Sequence, residues 1–179
     1  MTEARQQSAD PVVLVLMGVS GSGKTTVALA LAERLRWDFQ EGDDLHPDAN
    51  RQKMAAGIPL TDEDRWPWLN RIADWISAKL QAGESGIVTC SALRQRYRDR
   101  LSGDGVVFVF LHGSRELIDE RLSRRTGHFM PESLLDSQFR TLEPPSDGKD
   151  TVVVELGGTP AEEAAHALNA LRDKGFLPG

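Results

Sequence analysis

Cysteine is almost missing from this chain: Cys90 stands alone among 179 residues. One thiol can close no intrachain disulfide and build no multi-cysteine zinc site, so neither kind of staple is expected to hold the fold. Long apolar runs are missing as well. The strongest, Pro-Val-Val-Leu-Val-Leu-Met-Gly at 11–18, falls far short of the ~20 residues a membrane helix needs. The first ten residues are polar, without a secretory-signal pattern, and read as a loose tail. A reduced, cytoplasmic protein without a membrane partner is the resulting expectation. There is also no excess of positive charge, with 21 Lys and Arg against 27 Asp and Glu and a formal net charge of −6. That balance disfavours a general nucleic-acid binder but not an anionic small molecule, which needs only a few cations converging in one cleft.

What remains is the composition of an ordinary globular domain, 40% hydrophobic and 27% charged, without internal repeats or low-complexity linkers. Short β-branched runs alternate with helical patterns. Strands are expected over 12–17, 37–41, 86–90, 106–111 and 151–155. Helices are expected from about Gly23 to Leu35, over 47–56, from 61–64 through Leu80, over 92–101, after Ser114, after Pro131 and over 160–174. This alternation predicts a three-layer α/β/α fold around a central parallel five-stranded sheet, formed by a single domain over 11–179. Its ligand crevice belongs at the carboxyl ends of the strands.

The most specific signal lies between the first strand and the first helix. Gly18, Val19, Ser20, Gly21, Ser22, Gly23, Lys24 and Thr25 match G-x-x-x-x-G-K-[ST] at every fixed position. Glycines let the backbone curl so that successive N–H groups face phosphate oxygens, and the following helix adds its positive end. Lys24 reaches the β- and γ-phosphates, the Thr25 hydroxyl suits Mg²⁺, and Thr26 continues the nucleotide-binding turn. A phosphate loop alone does not separate a kinase from a motor or a switch. Neither the third nor the fourth strand ends in the Asp that many ATPases use for Mg²⁺ and water, and no Asn-Lys-x-Asp guanine-reading motif occurs.

Acidic residues follow the second strand instead, at Asp43 and Asp44. A carboxylate there can accept the proton of a substrate hydroxyl or hold the shell of Mg²⁺; a solvated turn is the plainer reading. Arg121 and Arg125 sit four apart on one helix face, ahead of Thr126, Gly127 and His128. Alone they would be a surface stripe. Beside a phosphate loop they predict a mobile lid at about 124–131 that neutralises the transferred phosphoryl group and shuts out water. Arg94, Arg96, Arg98 and Arg100 form a second cluster, in which Arg94 and Arg98 share one face and Arg96 and Arg100 another, so all four cannot line one pocket. Cys90 reads as a small core residue, and Trp66, Trp68 and Trp75 as core packing.

Further motifs give the chain a family likeness. Glu-Gly-Asp-Asp-Leu-His-Pro at 41–47, Asn50, Lys53-Met54 and Gly-Ile-Pro-Leu at 57–60 come first. Asp-Glu-Asp-Arg-Trp-Pro-Trp-Leu at 62–69, Cys-Ser-Ala-Leu at 90–93 and Tyr97-Arg98-Asp99 follow. Gly-His-Phe-Met at 127–130, Ser-Gln-Phe at 137–139 and Leu-Glu-Pro-Pro at 142–145 complete the set. With these, nearly everything from Val12 to Pro145 resembles the small P-loop gluconate kinases, close to the shikimate and adenylate kinases in fold. The resemblance implies MgATP-dependent phosphorylation of D-gluconate at its 6-hydroxyl, feeding the pentose phosphate route, and a homodimer. It implies Asp43 as base and metal-shell carboxylate, with Asp44 as the alternative. It also implies His46, Lys53, Arg65, Arg98 and His128 as substrate contacts, though His46 also reads as a turn residue, Arg65 as a partner of Asp62 or Asp64, and Lys53 as exposed. A kinase for another hydroxy acid such as shikimate, and a regulatory nucleotide-binding module, are the competing readings.

Overall fold

In a computed structural model, residues 10–124 and 132–177 are described. Five strands form one sheet in the order β2-β3-β1-β4-β5: β1 (Val13–Met17), β2 (Asp38–Gln40), β3 (Gly86–Thr89), β4 (Val106–His112) and β5 (Thr151–Glu155). All neighbours are parallel, with Val13 opposite Gly86 on one side and Val106 on the other. The helices are α1 (Lys24–Leu35), α2 (Asp48–Ala55), α3 (Asp62–Gln81), α4 (Gln95–Leu101), α5 (Arg115–Ser123), α6 (Glu132–Thr141) and α7 (Pro160–Asp173).

The central strand shows how an unbroken apolar run is used. Every residue of β1 is buried, and their side chains divide between two cores. Val13, Val15 and Met17 pack with Trp68, Leu69, Ile72 and Ile76 of α3 and Tyr97 of α4. Leu14 and Leu16 pack with Val27 and Leu31 of α1 and Leu168 and Leu171 of α7. Period-two alternation thus serves both faces, as a sheet covered by helices on each side requires. Helix starts are chemically marked. Thr61 and Asp64 form a reciprocal capping box at α3, Ser114 accepts from the Leu117 N–H at α5, and Thr159 does the same from Glu162 at α7.

Three expected boundaries shift. The second strand shortens to three residues because Gly42–Leu45 winds into a 3₁₀ turn. Helix α4 starts at Gln95, since Ala92 takes φ 44, a left-handed conformation that no right-handed helix continues. Helix α6 is described from Glu132, and the expected lid lies outside the described residues apart from Arg124, which caps α5. Among the described residues, no helix is long and apolar enough to cross a membrane.

Chain order places the crevice. From β1 the chain runs through α1 to the edge strand β2, returns to β3 beside β1, and then crosses to β4 on the other side. The carboxyl ends of β1, β2 and β3 therefore flank the point where the strand order reverses.

Candidate active site

The loop after β1 makes one wall of this crevice. Gly21 takes φ 82, and a Cβ there would come within 2.7 Å of Leu122 Cγ, so only glycine lets the loop curl against α5. Helix α1 begins at Lys24, whose ammonium donates to the carbonyls of Gly18 (2.9 Å) and Val19 (3.1 Å) across the loop. The Thr25 hydroxyl donates to Glu41 Oε2 at 2.5 Å, and Thr89 Oγ1 donates to Glu41 Oε1 at 2.7 Å. Glu41 thus joins the first helix to the ends of β2 and β3. With Thr25 it offers hard oxygens of the kind Mg²⁺ takes.

The other wall grows from Gly42. A Cβ at this position would lie 1.7 Å from the Thr89 carbonyl oxygen, which excludes every other residue. Gly42 N–H donates to Thr89 Oγ1 at 3.0 Å, and its carbonyl accepts from Trp68 Nε1 at 2.8 Å. Asp43 therefore leaves a fixed root, and it lines a cavity of about 530 Å³ together with the phosphate loop. Asp44 is exposed and does not line it; its carbonyl accepts from Arg51 Nη2 at 2.7 Å.

His46 is buried beside Asp43, stacked on Trp68 at 4.2 Å with ring planes 15° apart. Asn50 Nδ2 donates to the Asp64 carbonyl (2.8 Å) and sits 3.1 Å from His46 Nδ1. An amide nitrogen only donates, so Nδ1 accepts and the ring proton rests on Nε2, 4.0 Å from Asp43 Oδ1. Burial first, and then the charges of Arg51 and Arg65, lower the His46 pKa to about 4, so the ring is neutral at pH 7. Arg65 lines the same cavity; its Nη1 donates to Tyr97 Oη at 2.9 Å, and that hydroxyl donates to Asp62. Burial pushes the Cys90 thiol up to about 12, which leaves it an inert core residue.

Two expected acceptor residues are placed elsewhere. Lys53 pairs with Asp64 at 2.7 Å, and this bond, helped by the Thr61 N–H, lowers the Asp64 pKa to about 2. Arg98 is 3% exposed; its guanidinium donates to the carbonyls of Ala92 and Glu143, both at 2.7 Å, and to Gln95 Oε1. It braces two loops and does not line the cavity. The family pattern marked Arg98 for substrate because sequence shows a charge without showing the two loop carbonyls that its guanidinium holds.

Arg121 also lies away from the wall rooted at Gly42. It donates to Glu163 Oε1 at 2.5 Å and to the Ser22 carbonyl at 3.3 Å, beside a second cavity of about 310 Å³ that also borders Thr26 and Gly158. Arg125 and His128 lie outside the described residues. Glu41, Asn50 and Gln138 are site residues that the motif reading quoted without assigning. For Glu41 the available signal was its place at the carboxyl end of a strand next to the switch point.

A family model for the AAA domain matches residues 13–145. A gluconokinase of Gluconobacter oxydans (strain 621H) is 53% identical over 162 residues, 88% of this chain and 89% of that protein. Among solved structures, a gluconokinase from Sinorhizobium meliloti 1021 matches with a TM-score of 0.84 at 49% identity, covering 91% of this chain and 93% of the other. A sugar kinase from Janibacter sp. HTCC2649 matches with a TM-score of 0.84 at 46% identity, covering 90% and 95%.

Proposed function

We propose, since this chain belongs to the gluconokinase family, that it transfers the γ-phosphoryl group of ATP to the 6-hydroxyl of D-gluconate, giving 6-phosphogluconate and ADP. The observation that carries this reading is the shared cavity, with the phosphate loop on one wall and Asp43, His46 and Arg65 on the other.

On this reading, the loop N–H groups and the positive end of α1 hold the phosphates, and Lys24 neutralises the β- and γ-oxygens. The adenosine end occupies the smaller cavity beside Arg121 and Gly158. Thr25, Glu41 and Asp43 are the residues that would hold Mg²⁺, which when bound offsets phosphate charge. Asp43 orients the 6-hydroxyl and accepts its proton as that oxygen bonds to the γ-phosphorus and the bond to the β–γ bridging oxygen breaks. A loose transition state asks more of placement than of base strength, which suits an exposed carboxylate on a rigid root. His46 donates from Nε2 to a gluconate hydroxyl, and Arg65, steadied by Tyr97, takes the carboxylate. Arg125 and His128 belong to the proposed lid over 124–131, and the homodimer and the cytoplasmic setting belong to the same proposal.

Purified protein with MgATP should release ADP in step with gluconate consumed. Shikimate, glycerate, AMP and an acceptor-free control distinguish the rivals. ADP release indifferent to gluconate would overturn the assignment.

A further inference from the structure

Helix α6 reaches back to the phosphate loop at one point. Leu135 is buried with Val19, Leu93 and Ile118, and Phe139 and Leu142 pack against the same cluster. Positions 135 and 139 share one helix face and Leu142 follows directly after the helix, so the helix is anchored beneath the loop by apolar contact. Gln138, at the flank of that face, meets Ser20 through both ends of its amide. Oε1 accepts the Ser20 backbone N–H at 2.6 Å, and Nε2 donates to Ser20 Oγ at 2.8 Å. A backbone N–H can only be met by the oxygen end, which fixes the amide orientation.

The position of this pair gives it a consequence. Ser20 and Gln138 both line the larger cavity, which they share with Asp43 and Arg65, and neither lines the cavity beside Arg121. Their contact therefore lies at the end of the loop that faces the acceptor. The loop presents its N–H groups to phosphate, and here one of them is held by a side chain from a distant helix.

We propose that Gln138 is a positioning residue that acts through Ser20, setting the acceptor-facing end of the phosphate loop and so the alignment of the terminal phosphoryl group with the incoming hydroxyl. It governs the transfer step and the recognition of the third phosphate, and contributes little to holding ADP. Alignment is where small displacements cost most, since a shift of about 1 Å can lower a rate roughly 10²-fold. The proposal rests on the kinase reading for its rate measurements, but its nucleotide readout does not involve the acceptor.

Four measurements on the full chain test it. In Gln138→Leu, kcat should fall at least tenfold while the Kd for ADP stays within twofold and Tm stays within a few degrees. Gln138→Glu keeps an acceptor for the Ser20 N–H but adds a negative charge. The ratio of the Kd for a non-hydrolysable ATP analogue to that for ADP should therefore rise at least fivefold. Ser20→Ala removes only the hydroxyl half of the contact, and its effect should be smaller in the Gln138→Leu background than in the wild type. If kcat is unchanged in Gln138→Leu, or if ADP affinity and Tm fall in parallel with it, Gln138 is only a packing residue and the proposal is overturned. If Gln138→Leu does not fold, the analogue-to-ADP ratio of Gln138→Glu decides alone, and an unchanged ratio overturns it. A protein inactive with gluconate yet showing the raised ratio would refute the acceptor and leave the role of Gln138 standing.

Discussion

The two sides of the phosphate loop are built by different means. Toward the smaller cavity, backbone from 18–25, the N-terminal end of α1 and one Arg121–Glu163 pair do most of the work. Toward the larger cavity, the wall is made of side chains from the 3₁₀ turn, α3 and α6; the backbone of the turn is held by Trp68, and the side chains of Arg65 and Gln138 by Tyr97 and Ser20, all far away in sequence. On the proposed reading, the first side would hold what nucleoside triphosphates have in common, and the second would hold the acceptor through contacts that no short motif contains.

The sharpest way to break this contrast is at Asp43. Asp43→Asn should lower kcat by roughly 10²–10⁴-fold with ADP affinity retained, while Asp44→Asn changes it by less than about tenfold. Steady-state kinetics with gluconate check both, and the reverse order would hand the role to Asp44. Next comes pH. The folded-state pKa of His46 is lowered to about 4, below its unfolded value of 6.5, so the unfolded chain takes up the proton first as pH falls. Stability is therefore full above pH 6.5 and is lost progressively toward pH 4, by about 3 kcal/mol if the whole gap is realised. Urea unfolding across that window should show this slope, and His46→Gln should flatten it.

Arg98→Ala should cost about 2 kcal/mol of stability in urea, because it strips donors from two loop carbonyls. The KM for gluconate should stay within twofold, whereas a large rise would return Arg98 to the acceptor. The smallest effect is expected on the nucleotide side. Glu163→Gln weakens the anchor of Arg121 and should raise the KM for ATP about fivefold, leaving the KM for gluconate within twofold.

The succession of strands and helices, the parallel sheet and the phosphate loop were readable in the sequence because each rests on local periodicity, alternation or contiguous residues, whereas the strand order came only from the structure. The unbroken apolar run at β1 and the Gly23-Lys24-Thr25 turn needed no distant partner to be recognised. Side-chain assignments divide along the same line. Asp43 and Arg65 reach the cavity, but Lys53 serves the Asp64 cap and Arg98 braces two loops. A charged residue in a family motif can bind substrate or hold the frame, and only its hydrogen-bond partners tell which. Glu41 and Gln138 were overlooked for the converse reason: their partners, Thr89 and Ser20, lie 48 and 118 residues away.

The close approach at Gly42 bears on how this enzyme could be redesigned. Because no side chain fits between that residue and the Thr89 carbonyl, the base of the acceptor wall is closed to mutation, and libraries that sample it will return inactive protein. Met54 and Ile58 are exposed apolar residues on the rim of the same cavity, on a segment with room to vary. A search for activity on longer or shorter polyol acids should begin at that rim and leave the root alone.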